Sequence, residues 1–160
     1  SQKLTIQQTT DYPCDEWDVI NHSANGFRLT RTTVGQKMAH GQLLAVCPHD
    51  GHNFLLATAS WLMQEQAGGL IAGVAVMPGL PQAVGVRFIA ATPAESEPFV
   101  RAFLLPPVPP VGEESTLVLP FGTYRASGIM EVAGDSIWQV RLKHIVFRGA
   151  DFERVSFERI

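Results

Sequence analysis

The sequence predicts an all-β fold, with an antiparallel β-barrel over residues 1–97 followed by a β-rich C-terminal unit over residues 98–160. The 14 glycines and 11 prolines recur along the whole chain of 160 residues, so turns are frequent. No window of about a dozen residues carries apolar side chains at helical spacing. Short alternating segments instead return about every ten residues, which is typical of antiparallel barrels and sandwiches.

Several segments are predicted as strands because β-branched or aromatic residues lie between turn-forming residues. In chain order they are Trp17–Asn21, Phe27–Thr33, Gln42–Cys47, Asn53–Trp61, Leu70–Met77, Val84–Ala90, Thr116–Leu119, Thr123–Val132, Ser136–Phe147 and Phe152–Phe157. The segment Leu70–Met77 is apolar on both faces and rich in small residues, so we expect it in the middle of the barrel.

The strand predicted over Ser136–Phe147 has one core face and one solvent face, because its apolar and polar residues alternate. The core face is predicted to hold Trp138, Val140, Leu142 and Val146. The solvent face is predicted to hold Gln139, Arg141 and Lys143.

Two connecting segments have distinct signals. Thr92 followed by Pro93 predicts a single helical turn, which Pro98 prevents from extending. Four prolines between Leu104 and Gly112 remove the donors that a central strand needs, so this run is predicted to be a connector. A proline-rich ligand for an aromatic groove is the alternative. The C-terminal third of the chain, Phe99–Ile160, forms either a second small β domain or the remainder of one larger sheet.

Composition excludes several classes of function. The net charge is −3, whereas a nucleic-acid binder needs a basic surface to displace counterions from phosphates. Nine arginines against three lysines still suit a small anionic ligand, because guanidinium groups bind phosphates bidentately. The two cysteines are too few for a disulfide framework, and no apolar stretch has the ~20 residues of a membrane helix. We therefore expect a cytoplasmic protein that neither spans a membrane nor binds nucleic-acid polymers.

The most informative local feature is a hairpin around Asn25-Gly26, a pair that favours tight turns because positive φ is cheap there. Asn21 and Ser23 precede the turn, and their spacing puts both polar side chains on one strand face. Gly26 lacks a side chain, so a ligand can approach the backbone closely. These three residues predict a small polar cup suited to a base edge or a phosphate oxygen. A hairpin that binds nothing is the alternative.

The pattern Asn21-x-Ser23-x-x-Gly26 resembles the [Asp/Asn]-x-Ser-x-x-Gly signature of PilZ domains, bacterial β-barrels that bind cyclic di-GMP. The resemblance covers about residues 15–90. The other segments that look like the family's are Gly41–Ala45, Phe54–Trp61 and Leu70–Val74. The resemblance implies a PilZ-like barrel in a signalling protein, with cyclic di-GMP as the ligand and with Asn21, Ser23 and Gly26 at the base edge.

The chain departs from the family in its cations. PilZ domains that bind cyclic di-GMP also carry Arg-x-x-x-Arg upstream of the hairpin, and those arginines hold the phosphates. Residues 1–20 contain no arginine, and their four acidic side chains would repel an anion. Arg28 and Arg31 are the nearest substitutes, and an exposed strand face is their alternative role. The resemblance therefore implies an incomplete nucleotide site in this chain.

Two explanations of the incomplete site remain open. The arginine motif lies in a part of a longer protein that precedes Ser1, or the chain is a degenerate PilZ-like barrel that acts as a protein-interaction scaffold without nucleotide binding. We expect a protein partner in both cases. Trp17 lies beside the motif, and its two candidate roles are stacking on a base and packing in the core.

No other chemistry is predicted. Cys47, His49 and His52 lie close together, with His40 nearby, but their spacing fits no common zinc pattern. The sequence contains no Gly-x-Ser-x-Gly elbow, and the adjacent carboxylates Glu113 and Glu114 would point to opposite faces of a strand, so we expect no enzymatic activity. We also expect no cofactor, with cyclic di-GMP as the one ligand that the resemblance implies.

Overall fold

The computed structural model describes residues 3–7, 15–23, 25–31, 37–48, 53–66 and 68–160. The chain divides into two compact units, Ser1–Leu80 with Gly149–Asp151 and Pro81–Arg148 with Phe152–Ile160. Each unit contains a closed barrel of six antiparallel strands. The predicted all-β barrel fold is therefore confirmed.

The first barrel has the strand order β1-β2-β3-β6-β5-β4 and closes by pairing β4 with β1. Its strands are β1 (Lys3–Gln7), β2 (Asp15–Ser23), β3 (Gly26–Arg31), β4 (Leu43–Pro48), β5 (Leu55–Gln64) and β6 (Leu70–Val76). Leu29, Leu44 and Val74 belong to its buried core. Because side chains alternate along a strand, the neighbours of these residues point outward. The segment predicted to be central, β6, pairs with both β3 and β5.

The second barrel has the strand order β7-β8-β9-β12-β11-β10 and closes by pairing β10 with β7. Its strands are β7 (Gln82–Phe88), β8 (Val100–Leu105), β9 (Thr116–Pro120), β10 (Ile129–Ala133), β11 (Ile137–Arg148) and β12 (Phe152–Arg159). Its core is separate from that of the first barrel and includes Val86, Val132, Val140 and Val155.

The division between the units differs from the boundary at residue 97 that the sequence predicts. The structure divides the chain after Leu80, and β7 pairs with β8 and β10 in the second barrel. The alternating pattern of a strand shows which of its faces is buried but does not identify the strand it pairs with. The C-terminal unit is a closed barrel that begins at Pro81.

Two strands, β1 and β8, lie outside the predicted set. Both are short, and β8 is followed immediately by Pro106 and Pro107, which obscure its strand pattern. The predicted single helical turn is confirmed: Pro93–Glu95 forms a 3₁₀ turn with Thr92 as its N-cap. Within the described ranges, no helix has the length and apolar character needed to cross a membrane.

The face assignment in β11 holds only for the first half of the strand. Val140 and Leu142 are buried as predicted, but register shifts between Leu142 and Ile145 and between Ile145 and Phe147 reverse the alternation. Ile145 packs against the core, and Val146 is 46% exposed. A β-bulge adds a residue on one strand and thereby moves later side chains to the other face.

The proline-rich run connects β8 to β9, as predicted. Pro109–Val111 forms a 3₁₀ turn that Gly112 ends in the left-handed conformation, with φ of 72°. The Arg154 guanidinium binds the Glu113 carboxylate at 3.2 Å and holds the end of the connector. A helical turn differs from the extended polyproline conformation that aromatic grooves bind, so the alternative role as a groove ligand is not favoured.

Candidate ligand-binding site

A cleft of about 380 Å³ lies on the outer surface of the first barrel, across β2, β3, β6 and β5. Its lining consists of Asn21, His22, Ser23, Asn25, Gly26, Phe27, Arg28, Ser60, Trp61, Gly73, Val74 and Ala75. The cleft therefore brings together four of the five predicted ligand-binding residues. The fifth, Arg31, is not part of the lining.

Strand register places four cleft residues in one row across the sheet. Asn21 pairs with Arg28, Arg28 with Gly73, and Gly73 with Trp61. Leu29, next to Arg28, is fully buried in the core, so the row faces outward.

A second row runs parallel to the first. In it Ser23 pairs with Gly26, and Gly26 pairs with Ala75. Gly26 and Gly73 carry no side chains, so the floor between the two walls of the cleft is largely backbone. A flat ligand can approach such a floor closely.

Trp61 forms one wall of the cleft. Its indole lies against the backbone of Gly73, so close that a Cβ on that glycine would collide with the indole Nε1. The ring is 41% exposed, and the Arg28 Cζ lies 5.7 Å from its centroid, within cation–π range. An exposed aromatic ring held in one position offers a stacking surface for a nucleobase.

Asn21 and Ser23 form the opposite wall. Both are exposed and lie on β2. The Ser23 hydroxyl accepts a hydrogen bond from the backbone N–H of Asn25 at 3.4 Å, so the serine also supports the turn. Its own proton is still available for donation to a ligand, because a hydroxyl accepts and donates at the same time.

Gly26 is required for the packing of β3 against β6, and not for the positive φ that the predicted turn would use. Its φ is not positive, so the turn does not depend on left-handed backbone at this residue. A Cβ on Gly26 would instead collide with the backbone oxygen of Val74 on the neighbouring strand. Close approach of β3 to β6 therefore explains the glycine.

Arg31 lies outside the cleft, on the inward face of β3. It is 9% exposed, and its guanidinium binds the Asp15 carboxylate at 2.8 Å. Its Cζ also lies 4.7 Å from the centroid of the Trp17 ring, which is 1% exposed. A cation–π contact in the core accounts for Trp17 and Arg31 together, and neither side chain faces the cleft.

Two of the four acidic side chains in residues 1–20 form ion pairs. Asp15 is paired with Arg31, and Asp18 is paired with Lys3 at 3.2 Å. Pairing lowers the repulsion that these carboxylates exert on a nearby anion. Arg28 is exposed, and no carboxylate in the described part of the chain forms an ion pair with it.

The sequence places Cys47, His49 and His52 close together, with His40 nearby, without predicting a zinc site. His49 and His52 lie outside the described residues, whereas Cys47 and His40 lie within them. In the described part of the chain, no group of three or more His, Cys, Asp or Glu side chains is arranged to hold a metal ion.

Two comparisons with known proteins concern the sequence. Residues 84–160 match the family described as the FimW C-terminal beta-barrel domain. Over 113 residues the chain is 26% identical to the cyclic-di-GMP receptor FimW of Pseudomonas aeruginosa. The aligned region covers 70% of this chain and 18% of that protein. The chain thus spans less than a fifth of the length of this curated relative. The family match begins inside β7, in agreement with a second barrel that starts at Pro81.

The third comparison concerns solved structures. The chain aligns with MrkH, described as a c-di-GMP-dependent transcription regulatory factor, at 6% identity and a TM-score of 0.35, over 99% of this chain and 77% of that one. It aligns with K. pneumonia MrkH in its apo state at 7% identity and a TM-score of 0.34, over 99% and 79%.

Proposed function

We propose that this chain is a cyclic di-GMP-binding module of a bacterial cytoplasmic signalling protein and that it catalyses no reaction. The row Asn21–Arg28–Gly73–Trp61 carries the proposal, because it combines a polar wall, a cation and an aromatic wall around a bare backbone floor. The similarity to a cyclic-di-GMP receptor supports the choice of ligand. The resemblance to PilZ domains supports the position of the site on the first barrel.

Each part of the ligand matches a part of the cleft. A guanine ring stacks on Trp61, and its polar edge meets Asn21 and Ser23. Arg28 lies between these two walls, where its guanidinium reaches a phosphate oxygen. Binding biases the conformation of the module and so alters the surface that a protein partner contacts.

The proposed site is incomplete in its cations. Arg28 is the one Lys or Arg side chain among the described residues that line the cleft, whereas the ligand has two phosphates. A charge-assisted hydrogen bond contributes about 1.5–3 kcal/mol, and ~1.4 kcal/mol is a factor of ten, so the lack of two arginines weakens binding by about a hundredfold or more. If a complete site binds the ligand with micromolar affinity, this loss gives a dissociation constant of about 0.1–1 mM for this chain.

Titration of the chain with cyclic di-GMP, followed by NMR, tests the proposal. We expect shifts at the backbone amides of Asn21, Ser23 and Arg28 and at the Trp61 indole N–H. Trp61→Ala should abolish these shifts. Phe121→Ala is the matched control, because Phe121 is 55% exposed and has the Arg148 Cζ 5.6 Å from its ring, but lies in the second barrel.

One outcome would contradict the proposal, and another would contradict only the incompleteness of the site. Absence of shifts at millimolar ligand in a folded protein would exclude binding and would favour the scaffold function. A dissociation constant below about 1 µM would show that other cations complete the site and that the site is not deficient.

A further inference from the structure

We propose that the second barrel holds an anion site at Arg154, which takes a small phosphoryl anion and is closed by the chain's own Glu113. This site lies wholly within the second barrel, so it does not depend on nucleotide binding by the first. Its position is identified by a correspondence between the strands of the two barrels.

The two barrels have the same topology. The first closes in the order β1-β2-β3-β6-β5-β4, and the second closes in the order β7-β8-β9-β12-β11-β10. The two orders are identical when β7 to β12 are matched in turn to β1 to β6. Each strand of the first barrel therefore has a counterpart in the second.

Both barrels also carry a register shift at the same place in the fifth strand. The shift directly precedes Trp61 in β5 and Phe147 in β11. Trp61 pairs with Gly73 on the sixth strand of its barrel, and Phe147 pairs with Arg154 on the sixth strand of the other. Because the bulges coincide, residues can be matched one by one as well as strand by strand.

The outer row of the first barrel that contains the cleft therefore has a counterpart in the second. The row that corresponds to Asn21–Arg28–Gly73–Trp61 is Phe103–Val118–Arg154–Phe147. It keeps an exposed aromatic side chain, because Phe147 is 47% exposed. It also keeps one cation, which lies on the sixth strand of the barrel instead of the third. The amide is replaced by the apolar ring of Phe103, so the row offers no polar group for a base edge.

Arg154 has the surroundings of an arginine that binds an anion. Its side chain is 10% exposed, and its Nε donates a hydrogen bond to the Thr116 Oγ1 at 2.9 Å. Its Nη2 lies 3.2 Å from the Glu113 carboxylate. A buried guanidinium needs a counter-charge, and its planar fork binds phosphoryl oxygens as well as carboxylates. The carboxylate of Glu113 therefore occupies the place that a bound anion would take.

Glu113 is a weakly held occupant of this place. Its side chain is 39% exposed, and it belongs to the connector between β8 and β9, whose 3₁₀ turn contains no buried residue. Solvent screens an ion pair that water reaches, so such a pair contributes little. A phosphoryl anion carries more charge and three acceptor oxygens, so it competes with Glu113 for the guanidinium.

The site excludes a nucleotide because it offers no open surface beside the arginine. Thr116 and Val118, which flank Arg154 on the neighbouring strand, are 3% and 2% exposed. A small anion needs to reach only the guanidinium and the Thr116 hydroxyl, which keeps its own proton for donation. The ligand class is therefore a free phosphoryl anion and not cyclic di-GMP.

NMR titration of the chain with inorganic phosphate, at an ionic strength held constant with chloride, tests the proposal. Glu113→Gln removes the competing carboxylate and leaves Arg154 without a counter-charge. We expect shifts at the Arg154 Nε–H and at the Thr116 backbone amide, with an affinity about tenfold or more higher in Glu113→Gln than in the unchanged chain. Cyclic di-GMP should not shift these resonances in either protein.

Glu114→Gln is the matched control. Glu114 is exposed, and the ion pairs of the described residues do not include it. The substitution removes the same charge from the same connector and should leave the phosphate affinity unchanged. A second variant, Arg154→Met in the Glu113→Gln background, replaces the guanidinium with an apolar side chain and should abolish the phosphate shifts.

Three results would overturn the proposal. Equal phosphate affinity in the unchanged chain and in Glu113→Gln would show that Glu113 does not close the site. Phosphate shifts that persist in a folded Arg154→Met variant would show that the anion binds elsewhere. Shifts of equal size with chloride or with cyclic di-GMP would show that the site does not select a phosphoryl anion. Failure of the first barrel to bind cyclic di-GMP would overturn the proposed function and leave this inference intact.

Discussion

The contact between Gly73 and Trp61 determines whether the cleft has a rigid aromatic wall. In Gly73→Ala the new Cβ collides with the indole, so the ring must leave the floor of the cleft. We expect a loss of about 1–2 kcal/mol in the free energy of unfolding. In a Trp61→Ala background the same change should be neutral or stabilising by up to ~1 kcal/mol, because glycine is unfavourable within a strand. Denaturant unfolding of all four proteins measures this coupling, and equal costs in both backgrounds would contradict it.

Alanine substitutions at Arg28 and Arg31 should have different effects, one on cyclic di-GMP binding and the other on the free energy of unfolding. Arg31→Ala removes the guanidinium that binds Asp15 and packs on Trp17, so we expect the free energy of unfolding to fall by about 1–3 kcal/mol. Arg28→Ala should change it by less than ~0.5 kcal/mol, because the side chain is exposed, but should abolish detectable cyclic di-GMP binding. Chemical denaturation and NMR titration check the pair. Loss of binding in a stable Arg31→Ala variant would place Arg31 in the site.

The local sequence pattern identified the part of the site that lies within one hairpin. Contacts between strands that are distant in the sequence account for the rest. Asn21, Ser23 and Gly26 belong to one hairpin, so their spacing alone places them together. Arg31 could have been assigned to the core, because residues three apart on a strand face opposite sides. Trp61 could not be identified in this way, since its place in the cleft depends on the pairing of β5 with β6 and on the absence of a side chain at position 73.

At the scale of the strand, the bulge in β11 is the feature that alternation fails to predict. Ile145 pairs with the buried Val155 and packs against the core, whereas Val146 is 46% exposed. We expect Ile145→Ala to lower the free energy of unfolding by about 1–3 kcal/mol. The matched change Val146→Ala should cost less than ~0.5 kcal/mol. Denaturant midpoints test this, and a larger cost at Val146 would restore the unbroken alternation that the sequence predicts.

At the scale of the whole molecule, the sequence indicates the β fold but not the division into barrels. Alternation and turn residues report local burial, and they place most of the strands. Assignment of β7 to the second barrel requires its pairing with β8 and β10, which is a long-range property. The two hydrophobic clusters show the result of that pairing, because each barrel has a core of its own.

Separate cores predict separate responses to core damage. Leu44 and Leu142 are 0% and 1% exposed in the first and second barrel, so each change to alanine should cost about 2–5 kcal/mol of the stability of its own barrel. Native-state hydrogen exchange resolves the two effects, because local opening is measured amide by amide. Leu44→Ala should raise exchange in β2 to β6 and leave β9 to β12 protected, and Leu142→Ala should do the reverse. Equal loss of protection in both barrels from either substitution would show that they unfold as one cooperative unit, despite their separate cores.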